Sequence, residues 1–274
     1  MNDNNNPLIK VKFKGSRREY FCNSMEFPIK QNDRMVVEAE RGEDIGKVLA
    51  ENPCKKPHSD DESIFPILRK ATNNDLIRNS ENRIKEKPSF KFCKRKIKEL
   101  NLPMRLVDVE YRLDRKKITF YFTADDRIDF RELVKILATE YKTRIEMRQI
   151  STREELKRTG GIGHCGKSLC CTDWLDNFEP ISTQLVKEQN LPMNPSKISG
   201  CCGKLKCCFR YEHDTYSEFL KNYPAYGSRV QHEDKTGTIE KIDIFQKTVT
   251  IKFDEDQLEE FHLQDFENKI KVLK

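Results

Sequence analysis

The sequence predicts an α+β protein with a small β-rich unit at each end and a central α+β domain that carries two cysteine-rich loops. Short runs of alternating apolar and polar residues occur near both ends. A strand–strand–helix–strand pattern fills the middle, and two nine-residue segments share one cysteine template. We therefore expect a β-rich unit over 1–57, the central domain over 64–224 and an SH3-like, barrel-like β unit over 225–274.

The first β-rich unit is indicated by the runs LIKVKF, REYFC and DRMVVEAE, which alternate like half-buried strands. Gly42 and Gly46 are interpreted as turns between further β-type runs. Residues 51–63 have the proline, serine and charge content of a loop that leads out of this unit.

A long helix is predicted from the capping box that begins at Thr72 to about Leu100. Pro88 interrupts the pattern, so we expect a kink or two helices. After the proline, Phe90, Cys93 and Ile97 recur at helical spacing and define the apolar face.

The central layer begins with two strands that form a hairpin. Val107, Val109 and Tyr111 are expected to share one face of the first strand. In the second, Ile118, Phe120 and Phe122 alternate in the same way. Asp129 is expected to cap the helix that follows, and TRIEMRQ returns as a strand, so helices should cover one face of the sheet.

The bulk composition limits the classes of function. Lys and Arg number 51 against 45 Asp and Glu among 274 residues, which leaves a net charge of only +6. We find no apolar run near the roughly 20 residues of a membrane span, and the first residues are polar, so we expect a cytoplasmic protein without membrane insertion. Thiols stay reduced in that compartment, and clustered cysteines then favour metal or redox chemistry over structural disulfides.

Seven of the ten cysteines lie in two segments, residues 163–171 and 200–208, with the shared template G-x-C-G-K-x-x-C-C. Glycines let backbone N–H groups approach sulfur, and residues 158–210 contain seven Lys or Arg against four Asp or Glu, which offsets thiolate charge. We count Arg158, Lys167 and Lys204 among these cations. The spacing leaves zinc and iron–sulfur clusters both open.

Other interpretations of the cysteines are weaker. A nucleophilic cysteine paired with His164 or His213 is suggested only by sequence proximity. A thiol oxidoreductase usually carries C-x-x-C, which the template lacks. The isolated Cys22, Cys54 and Cys93 are assigned to packing or to the surface.

A basic run between Arg83 and Glu99 offers a second candidate site. It contains eight basic and two acidic residues and is interleaved with Phe90 and Phe92. Such a run either follows a nucleic-acid backbone or forms the solvated face of a helix. The candidate nucleic-acid contacts are Lys91, Lys94, Arg95, Lys96 and Lys98.

The segments RTGGIGHCGKSLCC, CGKLKCCFRYE and LVDVEY, together with ITFYFTADDRIDFRELVKILA, closely resemble a known family. They are similar to the bacterial RicT (YaaT) proteins of the polymerase-suppressor C-terminal domain family, over nearly the whole chain. The resemblance implies a non-enzymatic subunit that forms a cytoplasmic, iron–sulfur-containing complex with two small helical partners, RicA and RicF. It also implies that this complex directs RNase Y toward particular transcripts and influences sporulation, competence and biofilm formation.

The resemblance also implies a ligand set for the cluster, expected to be of the 4Fe–4S type, with zinc as the alternative. The family's cysteines fall on Cys165, Cys170, Cys171, Cys202, Cys207 and Cys208. This chain departs from the family pattern at two positions, where His164 replaces the usual proline and Cys201 replaces an apolar residue. We add Cys201 to the candidate metal ligands for that reason.

Overall fold

The computed structural model describes residues 8–40, 42–50, 64–176, 178–189, 191–254 and 257–273. The chain divides into two compact units, Met1–Asp176 and Asn177–Lys274. Its mixture of helices with three separate sheets confirms the α+β class. The predicted boundaries near 57–64 and 224–225 stay a prediction, and the predicted loop over 51–63, with Cys54, lies outside the described residues.

The first unit begins with a five-stranded antiparallel sheet in the order β2-β1-β4-β3-β5. Its strands are β1 Leu8–Lys12, β2 Arg18–Cys22, β3 Arg34–Ala39, β4 Gly42–Val48 and β5 Ile67–Lys70. A backbone bridge between Cys22 and Pro66 links the end of β2 to the residue before β5, which nearly closes the sheet into a ring. Strand β5 is not among the predicted strands.

Gly46 was expected to mark a turn, and this expectation is wrong because the residue lies inside β4. A Cβ atom at this position would overlap the side chain of Val11 in the core of the sheet. The glycine is therefore explained by close packing between β1 and β4.

The central layer of the first unit is a three-stranded sheet in the order β6-β7-β8, with helices packed on one face. Its elements are α1 Asn73–Glu99, β6 Arg105–Tyr111, β7 Lys117–Thr123, α2 Arg131–Tyr141 and β8 Arg144–Gln149. Strand β7 pairs antiparallel with β6 and parallel with β8. Cys93 is fully buried between α1 and the sheet, which raises the pKa of its thiol to about 12 and confirms its packing role.

Two local expectations for this layer are wrong. Of the two alternatives expected at Pro88, the division into two helices is wrong, because α1 runs continuously through 27 residues, while the kink stays a prediction. The proline lies on the exposed side of the helix, as does Ile84, whose carbonyl it leaves without an amide donor. In β6, a bulge between Leu106 and Asp108 breaks the alternation, so that Leu106 joins Val109 in the core and Val107 does not.

The helix caps that the sequence predicts agree better with the structure. The Thr72 hydroxyl accepts the N–H of Asp75 at 3.3 Å, and the Asp75 carboxylate accepts the N–H of Thr72 at 2.8 Å, which confirms the capping box. Asp129 precedes the N-cap residue of α2, Phe130, and its carboxylate accepts the N–H of Arg131 at 3.0 Å.

The first unit ends with two short helices, and the second unit combines small helices with an antiparallel sheet. The helices are α3 Thr152–Thr159, α4 Cys170–Asp173, α5 Thr183–Glu188, α6 Pro195–Ile198, α7 Cys208–Leu220 and α8 Leu263–Lys269. The strands are β9 Arg229–His232, β10 Lys235–Asp243, β11 Thr248–Phe253, β12 Leu258–His262 and β13 Ile270–Val272.

The second unit's sheet has the order β12-β11-β10-β9-β13. Within the described residues β12 and β13 are its two ends, so this β-rich unit is not a closed barrel. In the part of the chain that the structure describes, we find no helix with the length and hydrophobicity needed to cross a lipid bilayer.

Candidate metal centre

The first cysteine segment is a tight hairpin. Ile162 and Ser168 form a β-bridge, and the N–H of Gly163 donates to the Lys167 carbonyl at 2.8 Å. The N–H of Gly166 closes the turn on the Gly163 carbonyl at 2.9 Å. Gly166 has φ of +79°, a conformation that L-residues rarely adopt. This geometry places Cys165 at the exposed tip of the hairpin.

The second cysteine segment repeats this backbone structure. Ser199 and Leu205 form the equivalent bridge, and the N–H of Gly200 donates to the Lys204 carbonyl at 2.8 Å. The N–H of Gly203 closes the turn on the Gly200 carbonyl at 2.9 Å, with φ of +74° at Gly203. The shared template is therefore a shared hairpin, and we name the two copies the first and second cysteine hairpins.

Each hairpin leads directly into a helix that starts at a pair of adjacent cysteines. Cys170 and Cys171 are the first two residues of α4, while Cys207 is the N-cap of α7 and Cys208 its first residue. Each segment therefore holds one thiol in its turn and two at a helix start. Cys171 is only 7% exposed, whereas Cys165 is exposed.

The turn residues also correspond between the two copies. A Cβ atom built on Gly163 would lie 3.5 Å from the sulfur of Cys165, and one on Gly200 would lie 3.7 Å from the sulfur of Cys202. In both hairpins the turn thiol thus lies over the first glycine. His164 and Cys201, the two departures from the family pattern, occupy the same exposed turn position.

The donor chemistry of the hairpins fits iron or zinc, because both metals are commonly bound through thiolates. The cysteine residues are therefore chemically suitable donors for either metal. Among the described residues, no group of three or more His, Cys, Asp or Glu side chains lies closely enough to hold a metal ion.

The sequence did not predict what holds the first hairpin in place. The guanidinium of Arg18, on β2, donates to the Asp176 carboxylate at 2.5 Å and to the Thr172 carbonyl at 2.7 Å. A further hydrogen bond reaches the Asp173 carbonyl, so Arg18 binds the C-terminal end of α4. Its side chain is only 2% exposed. We name this contact the Arg18 anchor.

The acidic partner of the anchor is charged in the folded protein. Burial alone would raise the pKa of Asp176, but hydrogen bonds from Lys10 and Arg18 outweigh it and lower that pKa below its usual value. Lys157, on α3, lies 3.9 Å from the same carboxylate. Three cations from two strands and a helix thus converge on Asp176, which lies shortly after the end of α4.

A second buried ionic cluster supports α3, the helix that precedes the first hairpin. Lys14 donates to Glu86 at 2.8 Å and to Asp108 at 2.7 Å, and Arg158 donates to Asp108 at 3.1 Å. The guanidinium of Arg158 also lies 3.4 Å from the centre of the Tyr121 ring. Counting Arg158 among the cations that offset thiolate charge was therefore wrong, because it is buried against the central sheet.

The second hairpin is supported by a small core of its own. Val186, Ile198 and Phe209 are buried together, and the side-chain amide of Gln189 donates to the Phe209 carbonyl at 2.5 Å. His213, considered as a partner for a reactive cysteine, lies 2.8 Å from the Glu188 carboxylate. This contact ties α7 to α5 and gives the histidine a structural role.

The candidate nucleic-acid residues lie on α1. Four of the five are exposed on one side of the helix at spacings of three and four residues: Lys91, Lys94, Arg95 and Lys98. Lys96 is partly buried, pairs with Glu99 at 2.6 Å and lies beside the Phe92 ring. The structure therefore places a basic stripe on the C-terminal half of α1.

Thiol exposure predicts an order of chemical reactivity. In metal-free, reduced protein, a short pulse of iodoacetamide should modify Cys165 and Cys201 first, and Cys171 and Cys93 at least about tenfold more slowly, because burial excludes the reagent. Peptide mass spectrometry measures each site. The same pulse in denaturant is the control and should remove the differences; Cys171 reacting as fast as Cys165 in native protein would contradict the described packing.

Comparison with known proteins places this architecture in a class. Residues 65–150 match the PSP1 C-terminal conserved region, and residues 180–223 match the third domain of PSP1-like proteins. The first match covers α1 and the central sheet, and the second covers the second cysteine hairpin with its supporting helices. The chain is thus a PSP1-type protein.

The particular family follows from a relative that aligns along most of the chain. Stage 0 sporulation protein YaaT of Bacillus subtilis (strain 168) is 40% identical over 245 residues, which cover 89% of this chain and 89% of that protein. The chain therefore belongs to the YaaT family, which confirms the resemblance found in the sequence.

Two fungal proteins share shorter regions. Protein PB7E8.02 of Schizosaccharomyces pombe is 35% identical over 173 residues, or 53% of this chain and 23% of that protein. Protein PSP1 of Saccharomyces cerevisiae is 48% identical over 44 residues, or 16% of this chain and 5% of that protein. No solved structure gives a significant match.

Proposed function

We propose that this chain is a non-enzymatic, cytoplasmic regulatory protein that binds an iron–sulfur cluster of the 4Fe–4S type through its cysteine hairpins. The observation that supports this proposal is the duplicated hairpin–helix structure, which presents six template cysteines in equivalent positions. Packing alone gives no reason for a repeated glycine turn that ends in two adjacent thiols.

The chain's own residues have distinct tasks in this proposal. The turn glycines allow the tight hairpins that present Cys165 and Cys202, and Lys167 and Lys204 add positive charge to the same turns. The Arg18 anchor fixes the helix that carries Cys170 and Cys171. When bound, the cluster supplies a redox-active centre that is sensitive to oxygen.

The proposed cellular role follows from family membership. A relative along 89% of the chain is named as a sporulation protein. We propose that this chain likewise acts in developmental regulation, in complex with RicA-like and RicF-like small helical proteins. The complex would direct mRNA processing by RNase Y.

Metal analysis tests the proposal. Full-length protein purified without oxygen should be brown and contain iron and acid-labile sulfide in equal amounts. Replacing Cys165 and Cys202 together with serine should remove most of both, because two turn thiols are lost. The control, Cys22→Ser, changes a thiol outside the hairpins and should retain them.

Other outcomes of this experiment assign the protein differently. Colourless protein with stoichiometric zinc would replace the cluster with a structural zinc module. Protein without metal, alone or with its partners, would overturn metal binding altogether. The nucleic-acid interpretation of α1 is tested separately, with the surface described next.

A further inference from the structure

Helix α1 presents an exposed face with two chemically different halves. Ile77, Ile84, Pro88, Lys91, Arg95 and Lys98 follow one another at steps of seven, four and three residues. This spacing places them along one side of a helix about 40 Å long. Ile77 is 58% exposed and Ile84 is 69% exposed, whereas the opposite side of α1 packs on the central sheet. We name this line of residues the α1 outer face.

The N-terminal half of the α1 outer face carries two exposed isoleucines and little net charge. Residues 73–86 contain three acidic and three basic residues. Two of these six charged residues contact the β6–β7 hairpin. Glu81 pairs with Arg115 at 2.5 Å, and Arg78 donates to the Asp114 carbonyl at 3.2 Å. Ile77 and Ile84 are exposed apolar groups on this half, beside the exposed polar residues Ser80 and Glu81.

The C-terminal half is strongly basic. Residues 87–99 contain six basic residues and one acidic residue, Glu99. Glu99 is shared by Arg95 and Lys96. Within the described residues, we find no carboxylate at ion-pair distance from Lys91, Lys94 or Lys98. This half therefore lacks the negative charge that would complement it.

The pattern favours a protein partner over nucleic acid. A single-stranded nucleic acid needs exposed aromatic rings for base stacking, but the two aromatic residues of α1, Phe90 and Phe92, pack into the core of the central layer. Phosphate binding would also leave two exposed isoleucines on the same line unexplained. An apolar stripe that continues into unpaired cations matches the helix-in-groove mode of protein recognition.

We infer that the α1 outer face docks an acidic amphipathic helix of another protein. The partner's apolar side chains cover Ile77 and Ile84, and its carboxylates face Lys91, Lys94 and Lys98. The carbonyl of Ile84, which Pro88 cannot hydrogen-bond, lies at the middle of this surface and is open to a polar group of the partner. The docking requires neither metal nor the cysteine hairpins.

A photocrosslinking experiment tests this inference. Full-length protein with p-benzoylphenylalanine at position 84 is expressed in its own cells and irradiated, and the adduct is sequenced by mass spectrometry. The expected adduct is a protein segment with apolar residues at helical spacing and a net negative charge. Its yield should fall at least about tenfold in the variant Lys91→Glu/Lys94→Glu/Lys98→Glu and in the variant Ile77→Ser.

The matched control is Lys30→Glu/Lys135→Glu/Lys142→Glu, which makes the same charge change at three exposed lysines outside α1 and should leave the yield unchanged. Far-ultraviolet circular dichroism checks that each variant is folded. Adducts to RNA, to a second copy of this chain or to a segment without acidic residues would overturn the inference, as would no adduct. Iron content, measured in the same preparations, should not change, so the outcome is distinguishable from failure of the proposed cluster.

Once the segment is identified, a synthetic peptide with its sequence permits a direct affinity measurement. Fluorescence anisotropy with full-length protein should show binding that weakens as salt rises, because the cationic half is exposed. Both variants should weaken binding at least about tenfold. If the lysine variant weakened binding and Ile77→Ser did not, the apolar half of the inferred surface would be wrong.

Discussion

Replacing Arg18 with methionine should destabilise the first unit by about 3 to 5 kcal/mol. The methionine fills a similar volume but leaves the Asp176 carboxylate without its guanidinium, and the Thr172 and Asp173 carbonyls without their donor. Urea unfolding, followed by a probe in the first unit, measures the change. We also expect Cys171 to become reactive toward iodoacetamide, because α4 loses the contact that holds it.

The control for Arg18→Met is Arg131→Met, in which the side chain is 86% exposed and the expected change is below about 0.5 kcal/mol. Arg18→Lys should restore only part of the lost stability, because a lysine reaches the carboxylate but not both carbonyls. A loss below about 1 kcal/mol for Arg18→Met would show that the anchor contributes little.

The anchor also has a pH dependence. The pKa of Asp176 is lowered in the folded protein, so its contribution is complete above the unfolded pKa of about 4 and is lost as pH falls through the folded pKa. The difference in stability between wild type and Asp176→Asn should therefore shrink on acidification below about pH 4.

Alanine in place of both Gly166 and Gly203 should weaken each cysteine hairpin by about 1 to 2 kcal/mol. Both glycines have positive φ, and a Cβ atom at either position would meet no described atom within 4 Å, so the cost comes from the backbone alone. Amide hydrogen exchange should speed up about 5- to 30-fold in the hairpins. The iron content of the protein should also fall, because the proposed cluster is bound by these hairpins.

The same hairpins supply a matched control for the glycine prediction. Gly163→Ala and Gly200→Ala add the same methyl groups at positions where the new atom meets only ordinary contacts. This pair should change exchange rates by less than about twofold. Equal effects of the two pairs would mean that the turn conformation does not require glycine.

The sequence predicted the central layer correctly because its elements are long and strongly periodic. The apolar positions of α2 and β7 each repeat on one face, and both faces meet in one core. It could not predict the bulge in β6, because either Leu106 or Val107 satisfies the pattern and only pairing with β7 selects the first. Pro88 misled the interpretation of α1 because the sequence does not show which side of a helix meets water.

For the candidate site, the repeated cysteine template was visible and corresponds to a repeated backbone. The Arg18 anchor was not visible, because its partner Asp176 lies 158 residues away in the chain. Charged residues make up 35% of the sequence, and nothing near Arg18 distinguishes it from the exposed ones. Long-range ionic contacts of this kind appear only when the fold brings their partners together.

The open sheet of the second unit has a consequence for self-association. Its end strands, β12 and β13, expose backbone groups that could pair with strands of neighbouring molecules. Glu259 and Glu260 lie on β12, and Lys271 lies on β13. Two identical copies that met along β12 would bring like charges together, so pairing of this edge strand with its own copy is opposed by electrostatic repulsion.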